Sequence, residues 1–145
     1  MTAPLMILLP TDDSPSAQDA ARHVVGLAAK GLALEVHLLS VQAPVRGAAA
    51  SLVAGAQINA WHREEGMKAV AGCAAILEAA GIRAHVHIGV GDAAEIVTAF
   101  AARLACGHIV MGTRGLGRAA GLVLGSVATG VIAASTVPVT LVRAA

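Results

Sequence analysis

The fold is decided by residues Leu5–Gly31, which read LMILLPTDDSPSAQDAARHVVGLAAKG. Leu5–Pro10 is an apolar run with the length of a buried strand, and the polar turn Thr11–Pro15 follows it. Ser14 or Asp13 is suited to cap a helix, because a short polar side chain can accept from the free backbone N–H groups of the first turn. The segment therefore predicts a strand, a turn and a helix in direct succession.

The rest of the chain repeats this alternation of short apolar runs and longer helical patterns, which is typical of βα units around a parallel sheet. The predicted strands are Leu5–Pro10, Leu34–Val41, Ile82–Gly89, His108–Gly112 and Pro138–Arg143. The predicted helices run from Ser14 or Asp13 to Gly31, over Ser51–Ala80 and Asp92–Ala105, and from Gly125 or Ser126 to Ser135. Right-handed crossovers give a doubly wound, Rossmann-like α/β fold, a single five-stranded parallel sheet of order 3-2-1-4-5 with helices on both faces. We expect one domain over residues 1–145.

Composition argues against nucleic acid and membrane as partners. The formal net charge is +1 and the ten basic residues are scattered, so the chain lacks the basic stripe that binds a phosphate backbone. Hydrophobic residues make up 57% of the sequence, and Gly121–Val142 carries no charge. Pro138 and several Gly, Ser and Thr residues divide that stretch into a helical piece and a strand piece, so we expect no membrane span.

The N-terminus and the cysteines indicate a cytoplasmic protein. Met1–Leu9 contains no basic residue and no long apolar segment of the kind found in a secretory signal. Cys73 and Cys106 are far apart and lack metal-binding spacing, which fits free thiols in a reducing compartment.

A glycine-rich loop predicts a phosphate site at the switch point of the sheet, between strands one and four. Gly112–Ser126 places five glycines between a strand and a helix, where backbone N–H groups can approach an anion without a Cβ in the way. The helix that begins near Ser126 adds its own unpaired N–H groups. Ligands of such sheets bind where the strand order reverses, which is where Thr11–Ser14 meets this loop. Arg114 and Arg118 are placed to neutralise phosphate charge.

Two other phosphate motifs do not fit this loop. A Walker A loop requires Lys and then Ser or Thr after Gly117, where Arg118 and Ala119 stand. The GxGxxG/A pattern at Gly115–Ala120 follows the fourth strand rather than the first, and no acidic residue follows Glu95 to hold a ribose. A dinucleotide-dependent dehydrogenase is therefore disfavoured, and the scarcity of aromatic residues weakens a flavin protein.

The loop resembles the signature of the universal stress protein family, in its ATP-binding branch: Gly, two residues, Gly, nine residues, then Gly and Ser or Thr. Here these are Gly112, Gly115, Gly125 and Ser126, and the resemblance spans the chain through PTDDS, IVMG and VPVTLV. It implies that the loop holds the ribose and phosphates of ATP, and that the first two strand ends meet the adenine. The implied nucleotide-binding residues are Pro10, Thr11, Asp12, Ser14, Val41, Met111, Gly112, Arg114, Gly115, Gly117, Gly125, Ser126 and Val127.

The resemblance implies an ATP-binding stress-response regulatory protein that acts through nucleotide-dependent conformation and dimerisation, with Mg²⁺ held through the phosphates. The alternative is an interaction module of the same fold that binds no ATP, or that binds AMP or cyclic AMP. We identify no general base, so weak ATP hydrolysis is the most activity we expect. Asp13 stands where the family often has an uncharged residue, and its carboxylate can repel a polyphosphate or help retain a divalent cation.

The last predicted strand indicates a dimer interface, whereas the histidines are not interpreted as a metal site. Val137–Val142 is an apolar edge strand, and the resemblance implies a homodimer through antiparallel pairing of this segment. His85 and His87 share one strand face and are expected to have no nearby acidic partner, so they are interpreted as solvent-facing strand residues rather than metal ligands. The other histidines are interpreted as dispersed structural residues: His23, His37, His62 and His108.

Overall fold

The computed structural model describes residues 3–46, 55–113 and 124–143. The strands are β1 Leu5–Pro10, β2 Leu34–Gln42, β3 Ala84–Val90, β4 His108–Gly112 and β5 Val139–Val142. The helices are α1 Pro15–Ala29, α2 Gly55–Ala79, α3 Ala93–Arg103 and α4 Ser126–Ala134. All four strand pairings are parallel and the order is β3-β2-β1-β4-β5, so the predicted doubly wound sheet is confirmed.

The central strand of the sheet, β1, is buried on both faces. Such a strand of a parallel sheet is a continuous apolar run, as Leu5–Pro10 is. Ile7 and Leu9 pack with α1 and α2 on one face, and Leu8 packs with α3 and α4 on the other; all three are fully buried. Because β1 pairs with β2 on one side and β4 on the other, the strand order reverses beside it. The carboxyl ends of β1 and β4 therefore flank the switch point.

The predicted boundary of β3 is wrong by two residues at its start. The backbone N–H of Ile82 donates to Leu77 O at 2.9 Å, and Gly81 adopts a φ of 74°. This is the pattern of hydrogen bonds that closes a helix after its last turn. Ile82 therefore belongs to the cap of α2, and the strand starts at Ala84.

The ends of α3 and β2 differ from prediction for similar reasons. Asp92 is the N-cap of α3 rather than its first residue, because its side chain accepts from the N–H of Glu95. Ala105 has a φ of 54° and lies beyond the helix. The strand β2 continues to Gln42, whose carbonyl accepts from Gly91 at 3.0 Å. The predicted start of α2 at Ser51 lies outside the described residues.

Gly112 is required by packing at the end of β4. A Cβ at this position would meet Ser16 Oγ and lie 2.7 Å from the carbonyl carbon and oxygen of Ser16. Glycine thus lets the first turn of α1 approach the end of β4 more closely than any other residue would. This approach fixes the start of α1 at the switch point.

The sequence predicts that no segment of the chain spans a membrane. Within residues 3–46, 55–113 and 124–143, no helix has the length and apolar character needed to cross a bilayer.

Candidate functional site

The switch point brings together the β1–α1 turn, the end of β4 and the start of α4. Gly125 N–H donates to Thr113 O at 2.6 Å, and Thr113 N–H donates to Val142 O at 3.2 Å. The first bond holds the start of α4 against the end of β4, and the second joins the end of β4 to β5. Gly112 lies against α1 on the other side. The structure therefore collects three predicted regions at one edge of the sheet. Arg114, Gly115 and Gly117 lie outside the described residues.

Ser14 acts as the N-cap of α1. Its Oγ accepts from Ala17 N–H at 3.2 Å, and its own N–H donates to Asp12 Oδ1 at 3.1 Å. The Ser14 residue is 3% exposed. Of the two predicted caps the structure thus uses Ser14, and the Ser14 hydroxyl is already engaged in the turn. Asp12 lies exposed at the carboxyl end of β1.

Thr11 connects the turn to α2. Its Oγ1 lies 3.4 Å from Ala69 O and 3.2 Å from Cys73 Sγ, and it accepts from Asp13 N–H at 3.2 Å. Thr11 is buried, and its N–H donates to Leu39 O at 2.9 Å. The Thr11 side chain therefore stabilises the floor of the site.

Cys73 supplies a buried thiol beneath this turn. Burial raises its pKa, the hydrogen bond with Thr11 lowers it, and the negative charges of Asp13 and Asp12 raise it further. A thiol with a raised pKa is a poor nucleophile at neutral pH. Cys73 is therefore a packing residue of the site rather than a reactive one.

The carboxylate of Asp13 is directed toward α2. Asp13 has a φ of 63°, and its Oδ1 accepts from Gln18 Nε2 at 3.3 Å. A Cβ at Gly72 would meet this same Oδ1 and lie 2.8 Å from Gln18 Nε2. Asp13 thus contacts α1 and α2. While these contacts are kept, the carboxylate stays directed toward α2, and its electrostatic repulsion of a bound anion is reduced.

The first turn of α4 offers backbone donors without a side-chain cap. Gly125 occupies the N-cap position with φ −73° and ψ 165°, and no side chain of residues 3–46, 55–113 or 124–143 caps the helix there. Thr129 Oγ1 donates to Gly125 O at 3.0 Å, so that hydroxyl faces the carbonyl rather than the free N–H groups. Ser126 is exposed and Val127 half-buried. Free N–H groups at the positive end of a helix attract an anion.

The remaining predicted residues present apolar walls. Met111 is buried in the core between the sheet and α3, Val41 packs against the same core, and Pro10 is half-buried at the end of β1. Their side chains give a ligand no polar partner, so any polar contact there would come from the backbone.

Sequence reasoning missed the contribution of α2 and a set of interacting histidines. Gly72 and Cys73 form part of the site floor, and nothing in the spacing of α2 indicated it. His85 is half-exposed as predicted, but the expectation that it has no nearby acidic partner was wrong, since its Nε2 lies 3.8 Å from Glu35 Oε1. His37 was interpreted as a dispersed residue and His87 as a solvent-facing one, but their rings are hydrogen-bonded at 2.9 Å. The alternating pattern of β2 and β3 is the signal that could have placed them on one face.

The described part of the chain contains no group of three or more His, Cys, Asp or Glu residues arranged to hold a metal ion.

This architecture defines the chain as a doubly wound α/β protein whose candidate ligand site lies at the switch point. The sequence profile of the universal stress protein family matches residues 6–143. Universal stress protein MJ0531 of Methanocaldococcus jannaschii is 32% identical over 139 residues, which cover 94% of this chain and 81% of the relative. The chain belongs to the universal stress protein family.

Solved structures agree with this assignment. Hypothetical protein MJ0577 superposes with a TM-score of 0.78 at 29% identity, covering 97% of this chain and 96% of its own. A universal stress protein in complex with cAMP has a TM-score of 0.73 at 22% identity, covering 99% of this chain and all of its own. At that identity the second likeness concerns the fold.

Proposed function

We propose that this protein binds an adenine nucleotide, with ATP as the leading ligand, and acts as a stress-response regulator whose conformation depends on nucleotide occupancy. The observation that carries the proposal is the uncapped first turn of α4, held against the end of β4 by the bond from Gly125 to Thr113. Backbone donors at a helix N-terminus favour phosphate. Ser126, exposed in the same turn, adds a hydroxyl donor.

The other half of the site suits the nucleoside. Asp12 places an exposed carboxylate at the end of β1, where it can accept from a ribose hydroxyl or an exocyclic amine. Val41, on the neighbouring strand β2 at the same edge, supplies an apolar wall and backbone groups for the base. Mg²⁺ would be held mainly through the phosphates of the ligand.

A second candidate is a module that prefers AMP or cyclic AMP. One structural relative is a universal stress protein solved with cAMP. Asp13 favours this candidate, because a second carboxylate next to Asp12 opposes a ligand with three phosphates more than a ligand with one. Its contacts with Gln18 and Gly72 weaken that opposition without removing the charge.

We also propose a homodimer that pairs through β5. This strand lies at the end of the order β3-β2-β1-β4-β5, and each of its residues is half-buried. An apolar strand with one unpaired side is suited to pair with a second copy. A monomer mass at micromolar concentration in sedimentation equilibrium would contradict this proposal.

Isothermal titration calorimetry with ATP, ADP, AMP and cyclic AMP, each with and without Mg²⁺, tests the nucleotide proposal. We expect saturable heat and competition among the ligands that bind. Asp12→Asn should weaken binding, because it removes the charge while its amide oxygen can still accept from Ser14 N–H. Asp19→Asn, on the outer surface of α1 beside Arg22, is the matched control. No heat with any adenine nucleotide would overturn the proposal.

A further inference from the structure

Four polar side chains form a connected group on β2 and β3, which we name the histidine cluster: Glu35, His37, His85 and His87. His37 Nδ1 lies 2.9 Å from His87 Nε2, and His37 Nε2 lies 3.1 Å from Glu35 Oε1. The His37 ring stacks on the rings of His85 and His87, with centroids 4.9 and 5.1 Å apart. His37 is 6% exposed. The cluster thus runs from a buried imidazole to the surface.

The hydrogen bonds fix the positions of the protons when the cluster is neutral. An ionised carboxylate only accepts, so His37 must carry its proton on Nε2 to donate to Glu35. Nδ1 of neutral His37 then accepts, and His87 must carry its proton on Nε2 to donate to it. One tautomer of each ring therefore satisfies the chain from Glu35 to His87.

One added proton can be accommodated without breaking this chain. If a proton from solvent binds His87 Nδ1, the Nε2 proton of His87 passes along the hydrogen bond to His37 Nδ1. The His37 imidazolium then donates to Glu35 and to His87, whose Nε2 accepts. The carboxylate of Glu35 balances the single positive charge, and both hydrogen bonds remain.

A second proton on the His37–His87 pair cannot be accommodated. Both rings would be imidazolium, and two N–H groups would face each other across 2.9 Å with no acceptor between them. Burial lowers the pKa of His87, and the positive charges of His37, His85 and Arg103 lower it further. Arg103 approaches from α3, with its guanidinium carbon 4.6 Å from the Phe100 ring centroid. The Phe100 ring lies 5.8 Å from that of His87.

The groups that face the cluster from other elements do not offset this charge. Among the described residues, Glu35 is the carboxylate that forms ion pairs with these rings, at 3.1 Å to His37 and 3.8 Å to His85. The Cys106 thiol, near the start of β4, has a pKa raised by burial and by the charge of Glu35, so it stays neutral. The negative charge of Glu35 therefore faces the three imidazoles of the cluster and the guanidinium of Arg103.

We propose that the His37–His87 pair of the histidine cluster is a proton-binding site that takes up one proton with β3 in place and, on taking up a second, loosens the pairing of β3 with β2. The two strands carry the cluster in register, since His37 pairs with His85 and Leu39 with His87. β3 is the outermost strand of the described sheet and is bonded on one side, so repulsion across this pair is relieved by moving β3 outward.

Amide hydrogen exchange followed at single residues tests the proposal. Between pH 7.5 and pH 5.0, the protection factors of β3 should fall about tenfold, because amide exchange reports the opening of that strand. Those of β1 and β4 should change less than about twofold. His87→Gln keeps a donor toward His37 but cannot titrate, and should abolish the fall in β3. His23→Gln, exposed on α1, is the control and should behave as the natural chain.

A second measurement on the unsubstituted protein is independent of whether His87→Gln folds. Nitrogen-15 spectra of the imidazoles should show His37 protonated on Nε2 at pH 8, with Nδ1 becoming protonated on acidification while His87 moves its proton to Nδ1. Equal loss of protection in all strands would overturn the proposal. So would full protonation of both rings with unchanged protection of β3.

Discussion

The β1–α1 turn and the first turn of α4 lie at the same edge of the sheet but are built in opposite ways. In the β1–α1 turn, Thr11 and Ser14 are buried and their side chains bond to the surrounding backbone. In α4 the cap is Gly125, which has no side chain, and the next residue, Ser126, is exposed. One turn satisfies its own polar groups, whereas the other presents backbone donors.

This difference separates residues that support the site from residues that are available to a ligand. All were predicted as nucleotide-binding residues on one resemblance. Substitutions in the β1–α1 turn should change mainly the free energy of unfolding. Substitutions in the first turn of α4 should change mainly the affinity for a nucleotide.

The largest change in the free energy of unfolding is expected at Gly112, which supports the site because it lets α1 approach the end of β4. Gly112→Ala should lower the free energy of unfolding by about 3 kcal/mol, because the new Cβ would press on the backbone of Ser16, which cannot move without moving α1. Urea denaturation measures the change. Gly26→Ala is the control, since nothing lies within 4 Å of a Cβ at Gly26 and alanine favours a helix interior. Equal stabilities of the two variants would show that α1 does not press on β4 as described.

A smaller loss is expected when the helix cap is removed. Ser14→Ala should lower the free energy of unfolding by about 1 kcal/mol, because Ala17 N–H loses its acceptor. Its affinity for nucleotide, measured by calorimetry below the unfolding transition, should stay within about twofold. An affinity loss larger than the stability loss would mean that the Ser14 hydroxyl contacts the ligand directly.

The smallest stability change is expected at Ser126. Ser126→Ala should leave the free energy of unfolding within about 0.5 kcal/mol, as for exposed positions in general. It should weaken nucleotide binding about fivefold, the equivalent of one hydrogen bond. The two variants have opposite expected effects: Ser14→Ala should lose stability and keep its affinity for nucleotide, whereas Ser126→Ala should keep stability and lose affinity. If both variants lose stability and neither loses affinity, the contrast between the two turns is wrong.

The pH dependence of stability concerns His87, on the face of the sheet that α3 and α4 cover. Because the pKa of His87 is lowered by burial, the folded protein holds fewer protons than the unfolded chain just below the ordinary histidine value of 6.5. The free energy of unfolding should therefore be constant above that value and fall as the pH drops below it. Urea denaturation of the natural chain and of His87→Gln at pH 7.5 and 5.5 measures this. An equal fall in both would assign it to other groups.

The sheet was predictable because its signals are local. β1 and β4 match their predicted limits, since an apolar run ends at Pro10 in one and at Gly112 in the other. The start of β3 was not predictable, because it depends on how α2 ends. The hydrogen bond from Ile82 N–H to Leu77 O closes that helix. An apolar residue after a helix reads equally well as cap or strand.

The candidate site was predictable in location but not in the use of its groups. Strand order places Asp12 and Gly112 at one edge from sequence alone. The engagement of Thr11 with Cys73 could not be predicted, because it depends on the packing of α2, whose partners are about 60 residues away in sequence. The contact between His37 and His87 likewise depends on the register of β2 with β3.

Backbone amide shifts during a nucleotide titration locate the bound phosphate. With ATP and Mg²⁺, we expect the largest shifts at the N–H groups of Ser126, Val127 and Ala128, with smaller shifts at Asp12 and none on β3. Saturation of those shifts at the affinity found by calorimetry would support a phosphate held by the first turn of α4. Binding of ATP with the amides of this turn unshifted would contradict it.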